Sequence, residues 1–265
     1  TAWEGDKDPG FLTSLQWCMT KQSIEPELFR CELQQQGAKP PGSTIQLDPR
    51  QLVRRLSGIT RGIVPARASY LTGFVDSQDE VLFWAVVAWQ TNLTGFVVDW
   101  GFWPEQPRPH FFKADIPRKI SSLLPGAAWE EAFVLAHNQL DHRLLGTDWP
   151  VEGGGTRQMD LLLKDWSDGS HRPRIESQVM ASPYRSRIRP AQGRSVKPGG
   201  KPIHLYGDIH RDRTLIGGCW IERRTTHPHH VQVDTNMAKS IICRRLQTVV
   251  GAPSALVFPG DDESA

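Results

Sequence analysis

Three aspartates stand where their carboxylates could act together on one substrate. Asp76 and Asp165 each close a predicted strand, and Asp234 stands at the start of the last predicted helix. Hard cations such as Mg2+ and Mn2+ take oxygen ligands, and two such ions can clamp the attacking and leaving oxygens of a phosphodiester. The three acids therefore predict a site for two ions, Mg2+ or Mn2+, that hydrolyses a phosphodiester bond.

Rival acids lie near these positions, and most are expected to be solvated. They are Asp79, Asp99, Glu152, Asp160 and Asp168. An aspartate at a strand end often only shapes a turn, and one at a helix start often only caps the helix. Asp168 could replace Asp165, but we favour Asp165 because it ends an apolar strand whose backbone fixes its direction.

Three histidines surround Pro228 shortly before Asp234. The spacing of His227, His229 and His230 matches no closed zinc site, and no cysteine lies close by in the sequence. We interpret them as loop histidines and keep His230 as an alternate site residue that could carry a proton.

Basic residues are concentrated in one stretch of the chain. Between Arg157 and Arg224 there are 14 Lys and Arg against 7 Asp and Glu. Arg185, Arg187 and Arg189 alternate with other residues, so a strand would place all three on one face, where they could contact phosphates. A solvated basic face is the alternative interpretation.

The order of predicted elements indicates how these residues are positioned. Three strands with short turns form an antiparallel meander, and helices then alternate with further strands. The predicted elements are strands at Tyr70–Asp76, Val81–Trp89, Thr94–Trp103, Arg157–Lys164, Ser186–Pro190, Lys201–Tyr206, Leu215–Arg223 and His230–Val233, and helices at Asp48–Leu56, Ala127–Leu145, Ser170–Ala181 and Asp234–Gln247. This order predicts an α/β fold of the ribonuclease H-like type, a mixed sheet with flanking helices. The first and fourth strands should then be parallel neighbours, so Asp76 and Asp165 should meet at one edge.

Composition excludes several other classes of protein. The chain has 265 residues, 38% of them hydrophobic, and a net charge of +2, so bulk disorder is excluded. No apolar run approaches the length of a membrane span, and the first residues carry no signal peptide or initiator Met, so we expect a cytoplasmic fragment. The four cysteines form no CxxC pair and are expected to be reduced thiols. The sequence contains neither a phosphate-binding ATPase loop nor a serine-hydrolase elbow.

At these residues the chain resembles the nuclease half of tailed-phage large terminase subunits of the lambda-like packaging family. The resemblance rests on short motifs in a fixed order. They are Glu27–Gln36, Leu71–Asp79, Met159–Asp165, Ser182–Gly193 and His230–Lys239.

The resemblance implies a metal-dependent endonuclease that cuts double-stranded viral DNA during genome packaging. Asp76 would bridge two ions while Asp165 and Asp234 each hold one, and Arg194 and Lys239 would join the DNA-binding residues. Residues 1–69 would be a helical lead-in from an ATPase half absent from this chain, and 70–265 the nuclease domain. The implied partners are DNA, a terminase small subunit and a portal protein, with no membrane, and the location is the host cytoplasm.

Two alternatives remain open at this point. The chain could be another ribonuclease H-like nuclease, such as a resolvase or transposase, or a DNA-binding relative without catalysis. Lys164 departs from the family pattern, because an apolar residue is expected directly before the second acid.

Overall fold

The computed structural model of the chain describes residues 47–195, 215–216, 219–224 and 226–260, with isolated positions 13, 16, 19, 20 and 203. The chain divides into two compact units, Thr1–Gln46 and Leu47–Ala265. Nearly all of the first unit lies outside the described residues, as does the predicted strand Lys201–Tyr206 apart from Ile203. The architecture below is therefore that of the second unit.

The described elements follow one another along the chain in the order that the sequence predicts. They are α1 (Pro49–Leu52), β1 (Tyr70–Ser77), β2 (Leu82–Trp89), β3 (Gly95–Trp103), two 3-10 turns (Lys113–Asp115 and Ile120–Leu123), α2 (Trp129–Leu145), β4 (Trp149–Pro150), β5 (Thr156–Arg157), β6 (Leu161–Asp165), α3 (Arg172–Ala181), β7 (Ile188–Arg194), β8 (Leu215–Ile216), β9 (Trp220–Arg223), β10 (His230–Asp234), α4 (Thr235–Gln247) and β11 (Leu256–Val257). None of the described helices is long and apolar enough to cross a membrane.

A mixed sheet of nine strands organises the described part of the chain. Its order is β11-β3-β2-β1-β6-β7-β10-β9-β8. Strands β1, β2 and β3 form the predicted antiparallel meander, and β6, β7 and β10 run parallel to β1. The predicted mixed sheet with flanking helices is confirmed, and it is compatible with the ribonuclease H-like fold.

Helices α2 and α3 cover one face of this sheet. Leu71 and Val75 of β1 are fully buried in one cluster with Phe133 of α2 and Ile175 of α3, because alternate strand residues point to the same face. The opposite face is more open, and there Phe74 of β1 keeps 42% of its surface exposed.

The carboxyl ends of β1, β6, β7 and β10 meet at one edge of the sheet, here called the carboxyl edge, because these strands are mutually parallel. Val75 lies opposite Lys164 in the ladder between β1 and β6. Asp76 and Asp165, one residue further on each strand, therefore end neighbouring strands side by side. The predicted adjacency of the first and fourth strands is confirmed.

Several predicted elements have different bounds in the structure; strand β7, for example, is Ile188–Arg194, whereas Ser186–Pro190 is predicted. Helix α1 ends at Leu52, and Leu56 instead forms a bridge with Phe258. The predicted strand over Arg157–Lys164 is divided into β5 and β6, because the Asp160 carboxylate turns the chain by accepting the Leu71 amide at 2.7 Å. The predicted strand over Leu215–Arg223 is likewise two strands, β8 and β9.

Candidate functional site

Asp76 and Asp165 form a pair of carboxylates at the carboxyl edge. Both are partly buried, and their strands are hydrogen-bonded neighbours. Burial raises the pKa of the Asp76 carboxyl, the negative charge of Asp165 raises it further, and a hydrogen bond from Gln78 opposes the shift. The two side chains are thus close enough to repel each other electrostatically.

Neighbouring polar groups donate hydrogen bonds to each of these carboxylates. The Gln78 side-chain amide donates to both oxygens of Asp76, at 3.2 Å each. Ser167 donates to Asp165 Oδ1 from its backbone N–H at 3.0 Å and from its hydroxyl at 2.6 Å, and the same hydroxyl accepts the Gly193 N–H at 2.9 Å. Ser167 therefore ties the second acid to strand β7.

Gly193 allows α4 to begin close to this edge. A Cβ atom at this position would lie 2.8 Å from the Thr235 methyl carbon, closer than real Cβ contacts allow. The absence of a side chain at Gly193 thus permits the first residue of α4 to pack against β7.

Asp234 lies at the same edge but not with the other two acids. Its Oδ1 caps α4 by accepting the N–H groups of Asn236 at 3.0 Å and Met237 at 3.1 Å, as the sequence predicts. In the parallel ladders, Asp165 of β6 and Val231 of β10 both pair with Ala191 of β7. Asp234 is three residues beyond Val231 along β10. Strand spacing and rise then place the Cα atoms of Asp234 and Asp165 about 14 Å apart.

Within the described ranges, no group of three or more His, Cys, Asp or Glu side chains is arranged to hold a metal ion. The structure therefore brings together two of the three predicted acids. Two repelling carboxylates that also accept neutral hydrogen-bond donors are nevertheless a donor set that fits a hard divalent cation. A cation there would offset the burial and repulsion that raise the Asp76 pKa.

The alternate acids have structural partners. Asp79 Oδ1 lies 2.8 Å from Nε2 of the buried His171, and its backbone oxygen accepts the Trp129 indole N–H at 2.7 Å. Asp168 Oδ1 accepts the Ser170 hydroxyl at 2.6 Å and its N–H at 2.7 Å, and these bonds lower the Asp168 pKa. Both acids shape turns next to the site. Sequence reasoning missed His171, because a lone histidine near a helix start carries no distinguishing pattern.

His230 is buried beneath the edge and is bound to uncharged groups. Its ring packs against the Trp166 ring in a tilted arrangement with centroids 5.1 Å apart, and its Nδ1 lies 3.0 Å from the Thr226 hydroxyl. Burial, with the positive charges of Arg223 and Arg172, lowers the pKa of His230 to about 4. The ring is therefore neutral at pH 7. His227 and His229 stack on each other at 5.7 Å in a separate groove.

The prediction that Arg185, Arg187 and Arg189 share one strand face is wrong. Strand β7 begins at Ile188, and the preceding residues 183–187 form a turn. Arg187 instead donates to the carbonyls of Met159 and Leu145 at 3.0 and 2.9 Å, and Arg189 pairs with Glu222 at 2.8 Å. Both arginines therefore have partners within the fold, and their contact with DNA stays a prediction.

The remaining predicted DNA contacts divide between two regions. Arg185 is exposed, but it precedes the amino end of β7, opposite to the carboxyl edge. Arg194 ends β7 at the carboxyl edge, and Lys239 lies on α4, which begins there; both are exposed. Their contact with DNA stays a prediction.

Lys164 explains the departure from an apolar residue before the second acid. It is fully buried on the helix-covered face, where its Nζ lies 2.6 Å from Asp141 Oδ1 and donates to Gln178 Oε1 at 2.8 Å. The Gln178 amide in turn donates to Asp141 Oδ2 at 2.8 Å. A charge is tolerated here because α2 and α3 supply its partners.

Comparisons with known proteins give one result. The family model described as terminase large subunit gpA, endonuclease domain, matches residues 39–265. Comparison with curated proteins and with solved structures gives no match. The family match covers the whole sheet and every residue of the carboxyl edge described above. The chain therefore belongs to the family of terminase large subunit gpA endonuclease domains.

Proposed function

We propose that this chain is a metal-dependent endonuclease that cleaves double-stranded DNA during the packaging of a viral genome. The observation that carries the proposal is the parallel ladder between β1 and β6, which sets Asp76 beside Asp165. The family match supports the nuclease activity and the packaging context.

Asp76 and Asp165 would hold the first Mg2+ or Mn2+ ion. Asp234 is proposed as the ligand of a second ion, because its carboxylate is fixed at the same edge by its capping bonds. Bound divalent ions lower the pKa of an attacking water and neutralise charge on the leaving oxygen. Gln78 and Ser167 orient the two neighbouring carboxylates, and the ladder to β7 keeps Asp165 from turning away.

The partners and location follow from the proposed packaging role. Double-stranded DNA is the substrate, a terminase small subunit and a portal protein are the proposed protein partners, and the host cytoplasm is the proposed location. These rest on the family match rather than on a contact in this structure.

A plasmid nicking assay tests the proposed function. The chain should nick supercoiled plasmid when Mg2+ or Mn2+ is added and should be inactive in a chelator. Asp76→Ala should abolish nicking. Asp99→Ala is a matched control, because Asp99 lies on the same sheet but pairs with Arg61 away from the edge.

Two results would contradict the proposal. One is an Asp76→Ala variant that nicks as fast as the parent chain. The other is a folded parent chain that binds DNA without nicking it and shows no calorimetric binding of Mn2+, which would favour a non-catalytic DNA-binding relative.

A further inference from the structure

Arg172 lies near the carboxyl edge, at the start of the helix that follows β6. It is the first residue of α3, and its guanidinium carbon lies 4.5 Å from the centre of the Trp166 ring. Trp166 directly follows Asp165 and is 3% exposed, and its backbone N–H donates to the Ala191 carbonyl at 3.0 Å. The stacked cation is thus carried on a rigid platform one residue from Asp165.

Three of the other arginines that lie over tryptophans have a carboxylate partner, whereas Arg245, over Trp89, donates to the Leu93 carbonyl. Arg61 lies over Trp100 and pairs with Asp99. Arg143 lies over Trp84 and pairs with Glu105. Arg174 lies over Trp129 and pairs with Glu130. Arg172 is exposed and, throughout the described part of the chain, pairs with no carboxylate.

Three arginine side chains lie close enough to the His230 ring to affect its pKa. Burial is the main cause that lowers the pKa of His230, whose ring lies against Trp166, and the charges of Arg223, Arg172 and Arg194 lower it further. Arg194 is exposed at the end of β7 and likewise pairs with no carboxylate among the residues that the structure describes. A concentration of exposed cations at the carboxyl edge attracts a polyanion to that edge.

We propose that Arg172, stacked on Trp166, forms with Arg194 a phosphate-binding site that holds the DNA backbone at the carboxyl edge. The inference rests on the proposed nuclease function and adds Arg172, which the sequence did not single out, to the predicted DNA-binding residue Arg194. A guanidinium matches the planar geometry of a phosphate group, and stacking on Trp166 orders the side chain before DNA arrives. The ligand is the sugar-phosphate backbone, so binding should not depend on base sequence.

The test is the salt dependence of binding to short duplex DNA, measured by fluorescence anisotropy without added divalent metal in the Asp76→Asn background. Arg172→Ala should weaken binding several-fold and reduce the slope of log K against log salt by about 0.9, the value for one phosphate contact. Arg172→Lys should restore most of the slope, because it keeps the charge. Arg174→Ala is the matched control, since it removes a stacked arginine that already has a carboxylate partner.

Distinct results separate this inference from the proposed function. An unchanged slope in Arg172→Ala, or an equal loss in Arg174→Ala, would overturn the phosphate site while plasmid nicking by the parent chain still supports the nuclease. A loss of affinity that follows a fall in melting temperature and is not rescued by lysine would show a structural role instead. If the parent chain neither binds duplex DNA nor nicks plasmid, the nuclease function fails and the phosphate site fails with it.

Discussion

Lys164 and Asp165 are consecutive residues of β6, yet their charges are in opposite situations. Lys164 is fully buried on the helix-covered face and is paired with Asp141. Asp165 is partly exposed at the carboxyl edge beside Asp76, a group of the same charge. The buried charge is compensated within the fold, whereas neither edge carboxylate forms an ion pair among the described residues. Strand β6 thus carries two charges in different roles. The Lys164 charge stabilises the fold, whereas the Asp165 charge is accessible to a ligand.

The largest expected effect is on the buried charge. Lys164→Met should lower the free energy of unfolding by about 3–5 kcal/mol, because it leaves Asp141 buried without its ion-pair partner. Thermal unfolding followed by circular dichroism should show a melting temperature lower by about 10 °C.

A double variant tests whether the pair itself is the cause. Lys164→Met with Asp141→Leu should recover most of the lost stability, since both charges are then absent. The idea of a compensated pair would be wrong if the double variant were as unstable as the sum of the two single variants.

The second-largest expected effect comes from removing the Asp165 carboxylate, and it is on nuclease activity rather than on stability. Asp165→Ala should reduce Mn2+-dependent plasmid nicking by at least about 100-fold, an effect of the size expected when a group that stabilises the transition state is lost. Asp168→Ala should keep most of the activity, because the bonds of Asp168 to Ser170 serve the turn. The opposite pattern would assign the second acid to Asp168.

A smaller effect is expected from the neutral histidine beneath the edge. The unfolded chain takes up a proton on His230 below pH 6.5, its ordinary pKa, whereas the folded chain does so only near pH 4. The free energy of unfolding should therefore fall by about 2 kcal/mol between pH 6.5 and pH 4 through this group.

Denaturant unfolding at several pH values can measure this contribution. His230→Gln should lose less stability on acidification than the parent chain does. His110→Gln, at an exposed histidine, should behave as the parent does. Parallel stability curves for the parent and His230→Gln would refute the assignment.

The smallest expected effect is a gain of stability at the acid pair. The raised pKa of Asp76 means that its stabilising contribution is complete at low pH and is lost as the pH rises through the folded pKa. Asp76→Asn should therefore melt about 2 °C higher than the parent at pH 7 without metal. The gain should disappear below about pH 4, where the carboxyl is protonated.

Melting temperatures measured with added Mn2+ test the same Asp76 carboxylate in a second way. The ion should raise the melting temperature of the parent chain, because it binds only the folded state. Asp76→Asn should remove most of that rise. A rise of equal size in both proteins would place the ion elsewhere.

Local patterns in the sequence were sufficient for the framework of the site. Alternating Val, Phe and Trp predicted the strands of the meander, and Asp234 before a helical run predicted the cap that the structure shows. The element order also predicted that Asp76 and Asp165 would end neighbouring parallel strands. These features could be predicted because they depend on periodicity, capping and chain order.

Tertiary structure decided what each charged side chain does. Lys164 is buried because α2 brings Asp141 to it, and Arg187 is held by the carbonyl of Leu145, a residue distant in the chain. Asp234 stands apart from Asp165 because the ladder through β7 sets it three residues beyond that level. Partners and register arise from contacts between segments far apart in sequence, and an isolated charge in the sequence does not reveal which partner the fold will bring to it.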